Sequence, residues 1–156
     1  MKQFGISNER WLDECTLTSG QPSAEQFGRL ASEGFEVVID LAPTDARYSI
    51  EDEAGLMQRL GIEYHFLPVN FKAPTLADFV RFCAVYHASA GRRRLVHCAA
   101  NYRVSAFVAH YQMIYHGWTT EQADAWVADI WKMADYPVWE RFIRMLRDNL
   151  FMARAA

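Results

Sequence analysis

The stretch Arg94-Leu95-Val96-His97-Cys98-Ala99-Ala100-Asn101-Tyr102-Arg103-Val104-Ser105 decides the reading of this chain. Arg94 to His97 has the length and apolar character of a short buried strand, and Val104, Phe107, Val108, Tyr111 and Tyr115 recur at helical spacing just beyond it. The chain therefore passes from a strand through Cys98 into the first turn of a helix. At such a junction the N–H groups of the turn converge, and the helix dipole makes the space in front of them attractive to anions. The same field stabilises a thiolate at Cys98. Arg103 adds a planar, permanently charged fork that matches two oxygens of a phosphate. Ala99 and Ala100 keep the approach open, and Ser105 is expected to set a hydroxyl close to the thiolate to assist its departure. Taken singly, Cys98 reads as a small buried hydrophobe and Arg103 as a surface residue at an unfavourable helix end. Together in one loop they read as an oxyanion site holding a nucleophile, with Ala99, Ala100, Asn101, Tyr102, Arg103 and Val104 supplying its backbone N–H groups.

Working outward, strands and helices alternate. A strand near Cys15 to Ser19 precedes a helix capped by Ser23, with Phe27, Leu30 and Ala31 at helical spacing and Gly34 just past its end. Val37-Val38-Ile39 reads as a buried strand, Ile50 to Leu60 as a helix stopped by Gly61, and Tyr64 to Val69 as a strand. Thr75 to about Ala90 reads as a helix with Leu76, Phe79, Val80 and Cys83 on one stripe, ended by Gly91. Two more helices follow the Cys98 helix, near Thr120 to Trp131 and Val138 to Phe151; Trp126, Trp131, Trp139 and Phe142 are read as packing. This order predicts an α/β fold with a parallel or mixed sheet covered by helices.

Composition narrows the classes of function. The chain has 156 residues, 51% of them hydrophobic and 22% charged, which fits one domain, residues 1–156, burying roughly 70% of its unfolded surface. The net charge of -3, with basic residues scattered apart from Arg92-Arg93-Arg94, offers no broad field for nucleic acid or an anionic membrane. Arg92 to Arg94 read as a solvated turn rather than an anion-steering patch. Three cysteines without metal-like spacing predict neither a disulfide framework nor a metal site. Met1 to Leu12 lacks the pattern of a secretory signal, and the expected location is the cytoplasm.

His97-Cys98 with Arg103 and Ser105 resembles the signature loop of the protein tyrosine and dual-specificity phosphatase superfamily. Leu17-Thr18-Ser19-Gly20-Gln21-Pro22-Ser23, Gly34-Phe35, Val38-Ile39-Asp40-Leu41, Pro68-Val69, Ala73-Pro74-Thr75 and Asp78-Phe79 are similar to its bacterial DUF442, or beta-lactamase hydrolase-like, branch. The resemblance runs from about residue 15 to Arg144. It implies a three-layer phosphatase fold, a four- or five-stranded mostly parallel sheet with helices on both faces. One departure stands out: the superfamily signature has five residues between Cys and Arg, and here four intervene. Rhodanese-type sulfurtransferases share that shorter spacing, whereas the upstream residues do not point to them.

A general acid is the weak point. The loop that supplies an Asp in such phosphatases corresponds to Val69-Asn70-Phe71-Lys72-Ala73-Pro74-Thr75, which has no carboxylate. Asp78 is nearest, although with Thr75 it also forms a capping box; Asp45 is an outside candidate. His97 points away from Cys98 across the strand, toward a hydrogen bond with loop backbone. The resulting expectation is a cysteine-dependent phosphatase acting on a phosphate monoester, without metal or cofactor, through Cys98, Arg103, Ser105 and Asp78. Its partner is a phosphorylated substrate, or a phosphate or sulfate ion at the loop. The alternatives are a catalytically degenerate phospho-ligand-binding module and a sulfurtransferase using a Cys98 persulfide.

Overall fold

The computed structural model describes residues 1–44 and 48–155, with side chains up to residue 150. In chain order the strands are β1 (Arg10–Trp11), β2 (Thr16–Ser19), β3 (Val37–Asp40), β4 (Glu63–Phe66) and β5 (Arg94–His97). The helices are α1 (Ala24–Ser32), α2 (Glu53–Leu60), α3 (Leu76–Ala88), α4 (Tyr102–Tyr115), α5 (Thr120–Ala128) and α6 (Pro137–Ala155), with a 3-10 turn at Met133–Asp135 before α6. The five strands lie in the order β1-β2-β5-β3-β4, and only the β1–β2 pair is antiparallel. Among the described residues no helix is long and apolar enough to cross a membrane.

The strands are too short for the alternation of a one-sided sheet, and every residue of β2, β3 and β5 is buried. Their side chains feed two cores. Leu17, Val38 and Leu95 pack with Phe27, Leu30 and Met57 of α1 and α2 on one face. Val37, Ile39, Val96 and Cys98 pack with α3 to α6 on the other. The period of two along a strand thus sends Cys98 to the thick helical layer and His97 to the thin one.

Several boundaries differ from the sequence expectation for local reasons. β4 stops at Phe66 rather than Val69, because Pro68 has no N–H to donate, although Leu67 and Val69 still donate to Asp40 and Leu41 carbonyls. α2 starts at Glu53 because Asp52, at φ +50°, caps it by accepting from Gly55 N–H. β1, which the sequence did not mark, is two residues long. Asp13 accepts from the N–H groups of Cys15 and Thr16 and turns the chain back to form it. Arg92 to Arg94 sit at the far end of β5 from Cys98: Arg92 pairs with Glu36 and Glu63, and Arg94 is buried over the Tyr86 ring at 3.6 Å.

His110 ties α4 to α6. Its Nδ1–H donates to the Ala106 carbonyl at 2.7 Å, and Nε2 accepts from Arg147 Nε–H at 3.1 Å, an arrangement that needs a neutral ring. Burial, aided by the Arg147 charge, pushes its pKa down to about 4. A lowered pKa gives stability that is complete above the unfolded value near 6.5 and drains away as pH falls toward 4. Urea unfolding is expected to show wild type losing about 3 kcal/mol more than His110→Gln between pH 7 and pH 4. Parallel losses in the two proteins would contradict the neutral assignment.

Candidate active site

The Cys98 loop is held open from outside. Each carbonyl of its first half is tied away from the turn by a different segment. His97 Nδ1–H faces the Cys98 oxygen at 3.3 Å, Gln21 N–H donates to Ala99 O at 3.0 Å, and the Asn8 side-chain amide donates to Ala100 O at 2.9 Å. With the carbonyls fixed outward, the N–H groups of Ala99, Ala100, Tyr102, Arg103 and Val104 meet no acceptor among the described residues. Unpaired N–H groups at the N-terminus of the 14-residue helix α4 are chemically suited to receive an anion.

The turn into α4 requires a left-handed residue, and Asn101 provides it at φ +68°. Its side chain is wholly buried and donates to Asn8 O and Thr18 Oγ1 rather than capping the helix. Gly20 sits directly beneath. A Cβ there would lie 2.5 Å from Ala99 O and 3.1 Å from both Ala100 Cα and Ser7 O, all backbone atoms that cannot swing aside. Gly20→Ala is therefore expected to cost about 1–3 kcal/mol in thermal or urea denaturation and to weaken phosphate binding. Wild-type stability and binding would mean that the loop is not clamped from this side.

Cys98 itself is completely buried. Arg103 is only 7% exposed: its Nη1–H donates to the Val69 carbonyl at 2.9 Å, and its charge lies 5.7 Å from the Phe71 ring. Its Nε–H is buried without a partner among the described residues. The guanidinium is thus anchored by one arm, at the mouth of the β4–α3 loop, with a donor to spare. The Ser105 hydroxyl is already engaged. Its hydroxyl donates to the Tyr102 carbonyl at 2.8 Å and accepts from Trp131 Nε1–H at 2.9 Å, and it makes no hydrogen bond to Cys98 among the described residues. Trp131 also stacks on Tyr102 at 4.6 Å, and Trp139 Nε1–H donates to Phe71 O at 2.8 Å. Trp131 and Trp139, read as packing, thus also bond the first turn of α4 and the β4–α3 loop through their indole N–H groups.

Asp78 is occupied with its own helix. One oxygen accepts from Thr75 N–H at 3.0 Å and the other from Arg81 at 2.5 Å, while Asp78 N–H donates to Thr75 Oγ1. Asn70 likewise caps its loop, accepting from Lys72 N–H. Asp45 lies outside the described residues. Beside Ala99 and Ala100 a cleft of about 630 Å³ opens, bordered by Ser7, Gln21, Ser23 and Gln26.

On the other face of β5, His97 meets two carboxylates. Nε2 is 2.6 Å from Glu53 Oε2 and 3.7 Å from Asp40 Oδ1. Burial alone would lower the His97 pKa, yet the Asp40 charge and the Glu53 hydrogen bond push it up to about 9. Burial raises Asp40, whereas on Glu53 the His97 and Gln21 hydrogen bonds outweigh burial and hold it below the usual carboxylate range.

A mostly parallel five-stranded sheet, covered on both faces and carrying an anion nest between its central strand and the following helix, defines the protein-tyrosine-phosphatase-like class. Residues 6–134 match the family described as DSP-PTPase phosphatase fused to NAD+ kinase, and the chain belongs to that family. A putative DUF442 phosphatase from Shewanella putrefaciens is 32% identical; the match covers 93% of this chain and 92% of that one, with a TM-score of 0.82. TpbA of P. aeruginosa, in a complex with pTyr, shares the fold at 17% identity and TM-score 0.76, over 99% and 94% of the two chains. The Beta-lactamase hydrolase-like protein of Xylella fastidiosa is 28% identical over 106 residues, 66% of this chain. The matched part spans about a quarter of that relative's length, 24%.

Proposed function

We propose that this chain is a cysteine-dependent phosphatase that hydrolyses a phosphate monoester through a cysteinyl phosphate at Cys98. The observation that carries the reading is the buried Arg103, anchored to Val69 O with Nε–H unpartnered among the described residues, in the first turn of α4 beside loop N–H groups that meet no acceptor there. The thiolate attacks phosphorus and forms the S–P bond as the P–O bond to the leaving group breaks. Loop N–H groups and Arg103 hold the equatorial oxygens as charge develops. Water then attacks the intermediate, the S–P bond breaks, and inorganic phosphate leaves with the thiolate restored. The nest N–H groups, rather than the engaged Ser105 hydroxyl, receive the returning thiolate. Neither a metal nor an organic cofactor enters this sequence. The leaving group occupies the cleft beside Ala99 and Ala100, and the one domain extends over residues 1–156.

No carboxylate among the described residues is free to protonate the leaving oxygen from the β4–α3 loop, so leaving-group chemistry governs the rate. Aryl phosphates, which need little protonation, are expected to turn over far faster than alkyl phosphates. Asp78→Asn is expected to lower kcat on an aryl phosphate less than about threefold, where loss of a general acid costs a hundredfold or more. A hundredfold loss would make Asp78 the acid after all. That same engagement of Asp78 favours a second reading, a phospho-ligand-binding module. It would show as micromolar phosphate binding without turnover of any aryl phosphate between pH 5 and 8.

A further inference from the structure

The imidazole of His97 is bonded at both nitrogens to oxygen acceptors, Cys98 O through Nδ1 and Glu53 Oε2 through Nε2. Cys98 O can only accept, and Glu53, held below the usual carboxylate range, accepts as well, so the ring carries a hydrogen on each nitrogen and is a cation. Glu53 opens α2 and Asp40 ends β3, so two separate elements deliver carboxylates to one ring. Each is held in turn. Gln21 donates to Glu53 Oε1 at 2.8 Å, the Tyr64 hydroxyl to Asp40 Oδ2 at 2.7 Å, and Ala42 N–H to Asp40 Oδ1 at 2.9 Å. All three charged groups are buried, with His97 at 0%, Asp40 at 5% and Glu53 at 8% exposure. A buried ionic cluster is a costly way to fill a strand–helix interface that an aliphatic residue would fill without desolvation. Its geometry has a direction, because the cation ends on the carbonyl of Cys98.

We propose that Glu53 and Asp40 are positioning residues for the Cys98 loop, acting through His97, which they hold as the cation that turns the Cys98 carbonyl away from the nest. This rests on the reading of that loop as a phosphoryl-transfer site. A peptide at Cys98 rotated the other way would place a carbonyl dipole against the thiolate and against the incoming phosphoryl oxygens. Neither carboxylate touches substrate.

The groups facing His97 are Asp40 from β3, Glu53 from α2, Tyr64 of β4 through Asp40, and the uncharged Gln21 and Phe27, the latter an edge contact at 5.7 Å. Glu51 and Asp52 line the cavity of about 420 Å³ that Asp40 and Glu53 share, and both are exposed. As pH rises through about 9 the ring loses its second hydrogen, one of the two contacts fails, and the loop is released.

The test uses the whole chain and two readouts, hydrolysis of p-nitrophenyl phosphate and alkylation of Cys98 by iodoacetate. Cys83 is a poor competitor, since burial pushes its thiol up to about 12. Glu53→Gln keeps the shape and removes the charge. It is expected to lower kcat roughly 10- to 100-fold with KM within threefold, to move the alkaline limb of the kcat profile down by a unit or more, and to slow alkylation at pH 7 at least tenfold. Tyr64→Phe, which loosens Asp40 without touching the buried charges, is expected to act the same way by two- to fivefold and serves if Glu53→Gln does not fold. An unmoved alkaline limb, or kcat and alkylation within twofold of wild type, overturns the proposal. Wild type without turnover but with Glu53-dependent alkylation would reject the phosphatase reading and leave the positioning role standing. Robust wild-type turnover indifferent to Glu53 and Tyr64 would do the reverse.

Discussion

Cys98→Ser is expected to abolish aryl phosphate hydrolysis, lowering kcat by about a thousandfold or more, while inorganic phosphate still binds within about threefold of wild type. The two halves of this outcome come from different atoms. On the proposed mechanism, binding is the work of the N–H groups of residues 99 to 104 and of Arg103, none of which the substitution touches. Turnover needs an anionic nucleophile that is also a tolerable leaving group, and a serine hydroxyl in the same field stays protonated near neutral pH. Isothermal titration with phosphate and a p-nitrophenol assay at pH 6 and 7 measure the two halves separately. Residual turnover within tenfold of wild type would place the nucleophile elsewhere. Loss of phosphate binding would mean that the sulfur itself shapes the nest.

Arg103→Lys is expected to reduce kcat/KM roughly a hundredfold or more and to weaken phosphate binding in step. The guanidinium uses one arm on Val69 O, and on the proposed mechanism the unpartnered Nε–H serves the ligand, a division of labour that a single ammonium cannot reproduce. Lysine must choose between the anchor and the anion. The anchor also fixes the start of the β4–α3 loop, so the variant should lose thermal stability as well. Phosphate binding within threefold of wild type would show that Arg103 serves the fold rather than the ligand, and would shift the clamp to the backbone alone.

The strand–loop–helix core of the fold was legible because Arg94 to Tyr115 changes period at one point, and the change falls on the chemistry. The capping residues Ser23 and Thr75, each bonded to the N–H three residues on, marked helix starts correctly. What stayed hidden was everything that depends on distant pairing. Nothing local connects Asn8 or Gln21 to the carbonyls of Ala100 and Ala99, or Glu53 to His97 across 44 residues. His97 was read as facing away from Cys98 toward loop backbone, and the contact with Cys98 O fits that; its two carboxylates left no pattern, since acidic residues at a strand end and a helix start are ordinary caps. The short C-x4-R spacing was visible as a departure, but only the bond to Val69 shows how an arginine one position early is seated. Ser105 was placed by counting from Cys98, and counting cannot show that Trp131, 26 residues later, bonds its hydroxyl.

The outward tethers of the loop also order events in time. Asn8 and Ala100 are 92 residues apart, and Gln21, just past β2, reaches Ala99 beyond the end of the neighbouring strand β5. Contacts of such separation carry the largest loop-closure entropy and form late. The chain can therefore build β3, β4 and their helices while the Ala99 and Ala100 carbonyls are still untethered. The Ala99 and Ala100 carbonyls are tethered only when the first twenty-one residues dock, so the loop around Cys98 takes its final shape late.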